Sequence, residues 1–212
     1  MKRSLMGENA IKADWNQAKV GDIVYAINSK SLGLVSPLNY KRNAVGFVFG
    51  IENNKVYVIA PTTFVSVFGI DMAVDLPIGY NSDGKSNCEK LSSQFQNQID
   101  SWPLIKHYQN YAPYGTQKGN WFLPAYNQYA YLYRNRSTIG ESASIAGIYT
   151  DLTTNSNSEA PFPAWWVSSS YGGYASDRRQ YFFYGYGFDN SGSWRMIADE
   201  KQRYALMMQI DF

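Results

Sequence analysis

Apolar and polar positions alternate most clearly between residues 44 and 60. Ala44 to Ile51 and Lys55 to Ala60 are rich in Val, Ile, Phe and Tyr. Glu52-Asn53-Asn54 separates them, which predicts two strands joined as a hairpin. A shorter apolar run, Ile23 to Ile27, follows Gly21-Asp22 and predicts another strand. The intervening Asn28 to Asn43 carries Ser, Gly, Pro and Asn and reads as loop. Pro61 to Lys85 reads as irregular. At the far end, Tyr204, Leu206, Met208, Ile210 and Phe212 alternate with Ala205, Met207, Gln209 and Asp211. That predicts one half-buried or fully buried terminal strand over 203–212, which should be paired.

Helical spacing takes over in the middle of the chain. Cys88, Leu91, Phe95, Ile99 and Trp102 recur every three or four residues. Ser86 followed by Glu89 has the form of a capping box and predicts the start of that helix. Pro103 ends or kinks it, and a short helical piece continues to Tyr111. Asn120 to Pro124 reads as a short strand entering a second helix with Pro in its first turn. Tyr126, Tyr129, Ala130 and Tyr133 share one side of that helix, with Leu132 beside them, as core packing requires. Ser137 to Ile148 predicts a further helix, and Thr150 to Pro163 a loop. Strands, then helices, then strands give an α+β domain of helices packed on a small antiparallel sheet. Met1 to Lys19 reads as an arm with a short helix around Ala10 to Ala18, placed to serve attachment or trimerisation. Residues 20–212 form the domain.

Composition changes this picture at one place. Charged residues are 17% of the 212, aromatics also 17%, and the net charge is +2. Neither a basic patch nor an 18-residue apolar run is present, so nucleic-acid binding and membrane insertion are not expected. The polar start of the chain has no apolar run of the signal-peptide kind. Within Trp165 to Arg195, however, eleven of thirty-one residues are aromatic, interleaved with Ser, Gly, Asp, Asn and Arg. Cores are built from aliphatics and Phe. Tyr with small polar residues is the composition of binding loops, since Tyr gives contact area at low entropy cost. One or two strands are expected between Ser168 and Trp194, broken at Gly172-Gly173 and at Asp189 to Gly192.

Candidate chemistry elsewhere is thin. Cys88 is the only cysteine and His107 the only histidine. The first reads as a small buried hydrophobe and the second as a packing or surface residue with satisfied hydrogen bonds. Ser168-Ser169-Ser170 lacks the strand–elbow–helix setting of a nucleophile. Gly185-Tyr186-Gly187 is not a phosphate loop. Asp177, Asp189 and Asp199 are too dispersed for a Ca²⁺ loop. No catalytic activity, cofactor or metal is expected.

Three segments together resemble a known family. They are Gly119-Asn120-Trp121-Phe122-Leu123-Pro124-Ala125 before a helix ending Leu132-Tyr133-Arg134-Asn135, then Trp166-Val167-Ser168-Ser169-Ser170, then Arg203-Tyr204-Ala205-Leu206-Met207. In that order they are similar to the W-Y-L-P-S, Y-W-S-S-T and V-R-A-V motifs of bacterial and phage C-type-lectin-fold domains related to formylglycine-generating enzyme. Asp83-Gly84-Lys85-Ser86-Asn87 before a helix and the hairpin over 45–59 also match, whereas Val167 stands where the family has Ser. The family includes surface and virion proteins and the variable proteins of diversity-generating retroelements. The resemblance implies a C-type lectin fold with two main helices, in which the terminal strand pairs with the strand near Ile23. It does not carry over the cysteine pair of the enzymes or the sugar-binding Ca²⁺ motifs of animal lectins, which are absent here.

For a retroelement variable protein the resemblance implies a diversified ligand-binding face after the Trp166 motif. Mutagenesis of Asn codons at adenine reaches Tyr, Ser, Asp, Gly, Arg and Phe but never Trp, Lys, Gln, Glu or Met. The expected ligand-binding residues are therefore Tyr171, Tyr174, Ser176, Asp177, Arg178, Tyr181, Tyr184, Tyr186, Asp189, Asn190, Ser191 and Arg195. Gln180, Trp194 and Met196 would be fixed, and Trp165, Trp166 and Trp194 become scaffold. The expected partner is a protein or glycan receptor on a target cell, met from a virion or cell surface. The alternative is a structural virion or pilus subunit, a homo-oligomer whose aromatic face serves assembly.

Overall fold

The computed structural model describes residues 13–67, 69, 83–152 and 203–212 in full, save for residue 126, which is described in backbone together with 170–171, 182–186, 193–197 and 202. The described residues form an α+β structure with three α-helices and a six-stranded antiparallel sheet. The expected hairpin is its centre: β3 (Ala44–Glu52) and β4 (Lys55–Ile59) pair around Asn53-Asn54. Both Asn residues have positive φ, 49° and 60°. Two successive left-handed residues twist a two-residue turn to match the strands, and Asn tolerates that region better than most residues.

β1 (Ile23–Asn28) pairs with β3 on one side and with β2 (Ser31–Val35) on the other. The loop expected over 28–43 thus contains a strand, followed by a single 3-10 turn at Pro37–Asn39. Gly33 disguised it. A Cβ there would collide with the Tyr25 ring on the neighbouring strand, so the glycine marks a close approach rather than a loop.

The C-terminal segment departs from expectation twice. It is two strands, not one. β10 (Gln202–Tyr204) pairs with β5 (Phe64–Ser66) in a separate two-stranded sheet. β11 (Met207–Asp211) enters the main sheet, where it lies between β4 and the short β6 (Trp121–Phe122). The sheet order is β2-β1-β3-β4-β11-β6, so two strands separate β11 from β1, and the expected pairing of the first and last strands does not occur. The chain crosses between the sheets at Ala205-Leu206, where the Leu206 carbonyl accepts from the Ala60 amide at 2.9 Å. Residues 204–208 are all buried, so the alternation carried no mark of that change of partner.

The helices also rearrange the expectation. α1 (Gly84–Phe95) starts two residues before Ser86, with Asp83 as its cap; Asp83 Oδ1 accepts from the Lys85 amide at 3.2 Å. A residue of α3 (Tyr126–Ala146) decides this. Gln128 Oε1 accepts from the Gly84 and Ala125 amides, each at 3.0 Å, and Gln128 Nε2 donates to Asp83 Oδ1 at 3.1 Å. One buried amide group therefore joins the first turns of two helices. The apolar stripe is buried at Cys88, Leu91, Phe95 and Trp102, but α1 stops at Phe95. A 3-10 segment, Gln96–Ser101, lets Trp102 stack on Phe95 with ring centroids 3.9 Å apart. Pro103 then opens α2 (Pro103–Asn110) in its first turn. The two helices expected between 125 and 148 are one, α3, which ends at Gly147 with φ 65°.

α3 buries Tyr129, Leu132, Ile139 and Ala143, with Ala130 and Tyr133 half-buried, and Asn135 Nδ2 donates to the Phe49 carbonyl of β3 at 2.9 Å. α1 and α2 lie against β6. Cys88 is buried, and its Sγ accepts from the Leu123 amide at 3.3 Å. Burial pushes its thiol pKa up to about 12, so it stays protonated. Of the expected N-terminal arm, 1–12 lies outside the described residues; the rest holds one 3-10 turn, Trp15–Gln17.

Replacing Gln128 with Ala leaves two buried amides without an acceptor. Stability measured by urea unfolding should fall by about 3 kcal/mol, and Gln128→Glu should not rescue it, since its carboxylate would face that of Asp83 in place of the donated bond.

Candidate functional site

The aromatic-rich stretch contributes three short strands. β7 (Ser170–Tyr171), β8 (Phe182–Tyr186) and β9 (Ser193–Ile197) form an antiparallel sheet in the order β7-β8-β9. Its register pairs Tyr171 with Phe182, Phe182 with Ile197, Tyr184 with Arg195 and Tyr186 with Ser193. Directly opposed residues of an antiparallel pair share a face, and so do alternate residues of one strand. Tyr171, Phe182, Tyr184, Tyr186, Ser193, Arg195 and Ile197 therefore hold positions on one face. Ser170, Phe183, Gly185, Trp194 and Met196 hold positions on the other.

Four of the twelve sequence-derived residues, Tyr171, Tyr184, Tyr186 and Arg195, fall on these strands, and all four share the first face. Trp194 and Met196, read as fixed, take the second. Tyr174, Ser176, Asp177, Arg178, Tyr181, Asp189, Asn190 and Ser191 lie outside the described residues, as do Trp165, Trp166 and Gln180. β8 runs beside α3.

The chain leaves the described core after Leu152 and returns at β10, and those two points are fastened together. Asp151 accepts from the Thr63 amide at 2.8 Å and, through its other oxygen, from the Thr63 hydroxyl. Arg203 Nη1 donates to the same Asp151 oxygen at 3.0 Å and to Thr63 Oγ1 at 3.2 Å. The Arg203 and Asp151 side chains are only 15% and 20% exposed, so the pair is shielded from most solvent screening. All twelve candidate residues belong to the segment between them.

Beside this clasp an aromatic cluster seats the β5–β10 sheet on α2. The Phe64 ring packs edge-on to His107 and Tyr111, with centroids 4.5 and 5.3 Å away, and Tyr204 lies 5.6 Å from Phe64. The Tyr204 hydroxyl is 2.7 Å from His107 Nδ1. His107 is thus a half-buried packing residue with a hydrogen-bond partner 97 positions away, which no local pattern announces. Sequence reasoning likewise missed Thr63 and Asp151 as partners of Arg203, because none of the three sits in a motif that points to the others. Among the described residues no three His, Cys, Asp or Glu side chains are grouped to hold a metal ion.

Two outcomes test this support. Arg203→Ala should lower stability by about 2 kcal/mol, since a charge-assisted bond is lost and Asp151 keeps its burial; urea unfolding reads it. Burial holds the His107 pKa below its ordinary 6.5. The fold favours the neutral ring, so its stabilisation is complete above pH 6.5 and is lost as pH falls through that value toward the folded one. The melting temperature should therefore drop between about pH 7 and pH 5, and His107→Gln should flatten that part of the profile. An equally steep profile in the variant would assign the drop to other groups. The chain matches no family model, no curated protein and no solved structure.

Proposed function

We propose that this chain is a non-catalytic binding protein that displays a tyrosine-rich face on a C-type-lectin-type scaffold, at a virion or cell surface, and that retroelement mutagenesis diversifies the face. The strand register carries the reading. Tyr171, Tyr184, Tyr186 and Arg195, all within reach of Asn-codon mutagenesis, share one face of the β7–β9 sheet, and Trp194 and Met196, both outside that reach, share the other. The second face also holds Ser170, Phe183 and Gly185, which such mutagenesis reaches, so what the register sorts is the unreachable Trp194 and Met196 away from the first face. Tyr and Arg are also the residue types that dominate interface hot spots. The Asp151–Arg203 clasp supports the same reading, because it lets the scaffold close independently of what lies between.

The partner in this reading is a receptor on a target cell. Fluorescently labelled protein, applied to a panel of intact bacterial strains, should stain at least one of them. The Tyr184→Ala/Tyr186→Ala variant, folded by circular dichroism, should lose about 100-fold in apparent affinity, as expected for two hot-spot tyrosines. Unchanged staining overturns the proposal. Dissociation of an oligomer by the same variant in size-exclusion chromatography would instead identify an assembly surface. In the neighbouring DNA, a reverse-transcriptase gene beside a near-copy of the codons for 166–195, with Asn codons at the Tyr and Ser positions, establishes diversification.

A further inference from the structure

β2 is one edge of the main sheet, with β1 on its inner side. The bonding of β1 decides which backbone groups of β2 face out. The Ala26 amide donates to the Asn43 carbonyl at 2.9 Å, toward β3. Successive residues of a strand turn their N–H and C=O groups to opposite edges. Ala26 and its partner Leu32 therefore exchange no hydrogen bonds. The N–H and C=O of Leu32 point away from β1, and so do those of Leu34 two residues on. Among the described residues none bonds to these four groups. Sheet edges are normally guarded by charge, proline or shortness. The opposite edge is guarded: β6 has two residues with Pro124 just beyond, and β11 carries Asp211. β2 reads Ser-Leu-Gly-Leu-Val, with neither charge nor proline, and Leu32 and Leu34 are half-buried.

We propose that β2 pairs antiparallel with β2 of a second copy of this chain, about a two-fold axis at Gly33, so that two main sheets become one continuous sheet. The strand is its own complement in this register. Leu32 lies opposite Leu34 of the second copy and the pair exchanges two hydrogen bonds, as does its symmetry mate, so all four outward groups of each strand are satisfied. Moving the centre to Leu34 or Leu32 sets part of the pairing against the 3-10 turn at Pro37–Asn39 or the turn at Ser29-Lys30. On one face of the seam the leucines meet, and apolar cross-strand pairs stabilise a sheet. On the other face the two Gly33 residues are opposed, about 4.5 Å apart at Cα. A Cβ on Gly33 would lie 2.4 Å from Cζ of the Tyr25 ring, so a bare centre is needed to keep that ring in place. Lys30 falls opposite Ser36 of the second copy, and no like charges are opposed. An unrelated strand would offer the same backbone groups but neither the leucine pairs nor the bare centre. Five residues a side are fewer than the roughly 20–30 of a standard interface, so the dimer is a reversible one. The pairing does not depend on the binding role proposed above.

Sedimentation velocity of the full chain over a concentration series should show a monomer–dimer equilibrium. Leu34→Pro removes two hydrogen bonds of the seam while sparing those to β1, and should raise the dissociation constant at least about tenfold. Leu34→Lys, which leaves every backbone group in place, should weaken the dimer as well. Circular dichroism verifies that each variant is folded. Leu32→Cys and Leu34→Cys chains, mixed and oxidised, should cross-link faster than either variant alone, because only the mixture opposes the two thiols. Cys88, buried and protonated, does not compete. A chain that stays monomeric, a dimer indifferent to both Leu34 variants, equal cross-linking in mixed and single variants, or a dimer dissociated by Tyr184→Ala/Tyr186→Ala each overturns the proposal.

Discussion

Residues 45 to 50 of β3 are buried one after another, so the centre of the main sheet has no solvent face. A strand of this kind must be covered on both sides, and the rest of the described structure is arranged to do so. α3 lies against β3 and is tied to it through Asn135 and the Phe49 carbonyl. Gln128, on the same helix, accepts from the amides that open α1 and α3. A helix required to cover the sheet thus also fixes where its neighbour starts. The Phe95–Trp102 stack bends the chain after α1 so that α2 can bury Leu104, Ile105 and Tyr108.

Legibility of this structure in the sequence follows the range of the interactions that decide each element. The β3–β4 hairpin was plain, because β-branched and aromatic residues and an Asn-Asn turn are local signals. The apolar stripe through Cys88, Leu91, Phe95 and Trp102 named the right core residues but not the break after Phe95, since a stacked pair preserves helical spacing without a helix. Ser86 and Glu89 form a complete local capping signal, yet Asp83 caps the helix because Gln128, more than forty residues later, reaches that turn. Gly33 read as loop because a lone sequence cannot show a tyrosine ring lying over it. In the candidate site one or two strands were expected between Ser168 and Trp194; three occur, the last running on to Ile197, and the pairing of Tyr184 with Arg195 sets their common face. Asp151, Arg203 and His107 stayed silent because their partners are remote in the chain.

Hydrophobic patterning led to the coarse α+β class and to the order of strands and helices. The resemblance to C-type-lectin-fold domains led to a pairing that does not occur. β1 and β11 lie in one sheet with β3 and β4 between them, so the two ends of the domain share a sheet without sharing hydrogen bonds. The short β10 accounts for the difference. By pairing with β5 it draws the returning chain toward α2, where Tyr204 meets His107, and delivers β11 to the edge of β4.

The clasp of Thr63, Asp151 and Arg203 fixes two points of the chain and leaves what lies between them to its own length. The entropy of closing such a loop grows only with the logarithm of its size, so doubling the segment would cost about 0.6 kcal/mol. Residues gained or lost outside β7, β8 and β9 would thus add little closure cost, whereas within those strands they would break the register. A longer segment would still begin and end at the same salt bridge.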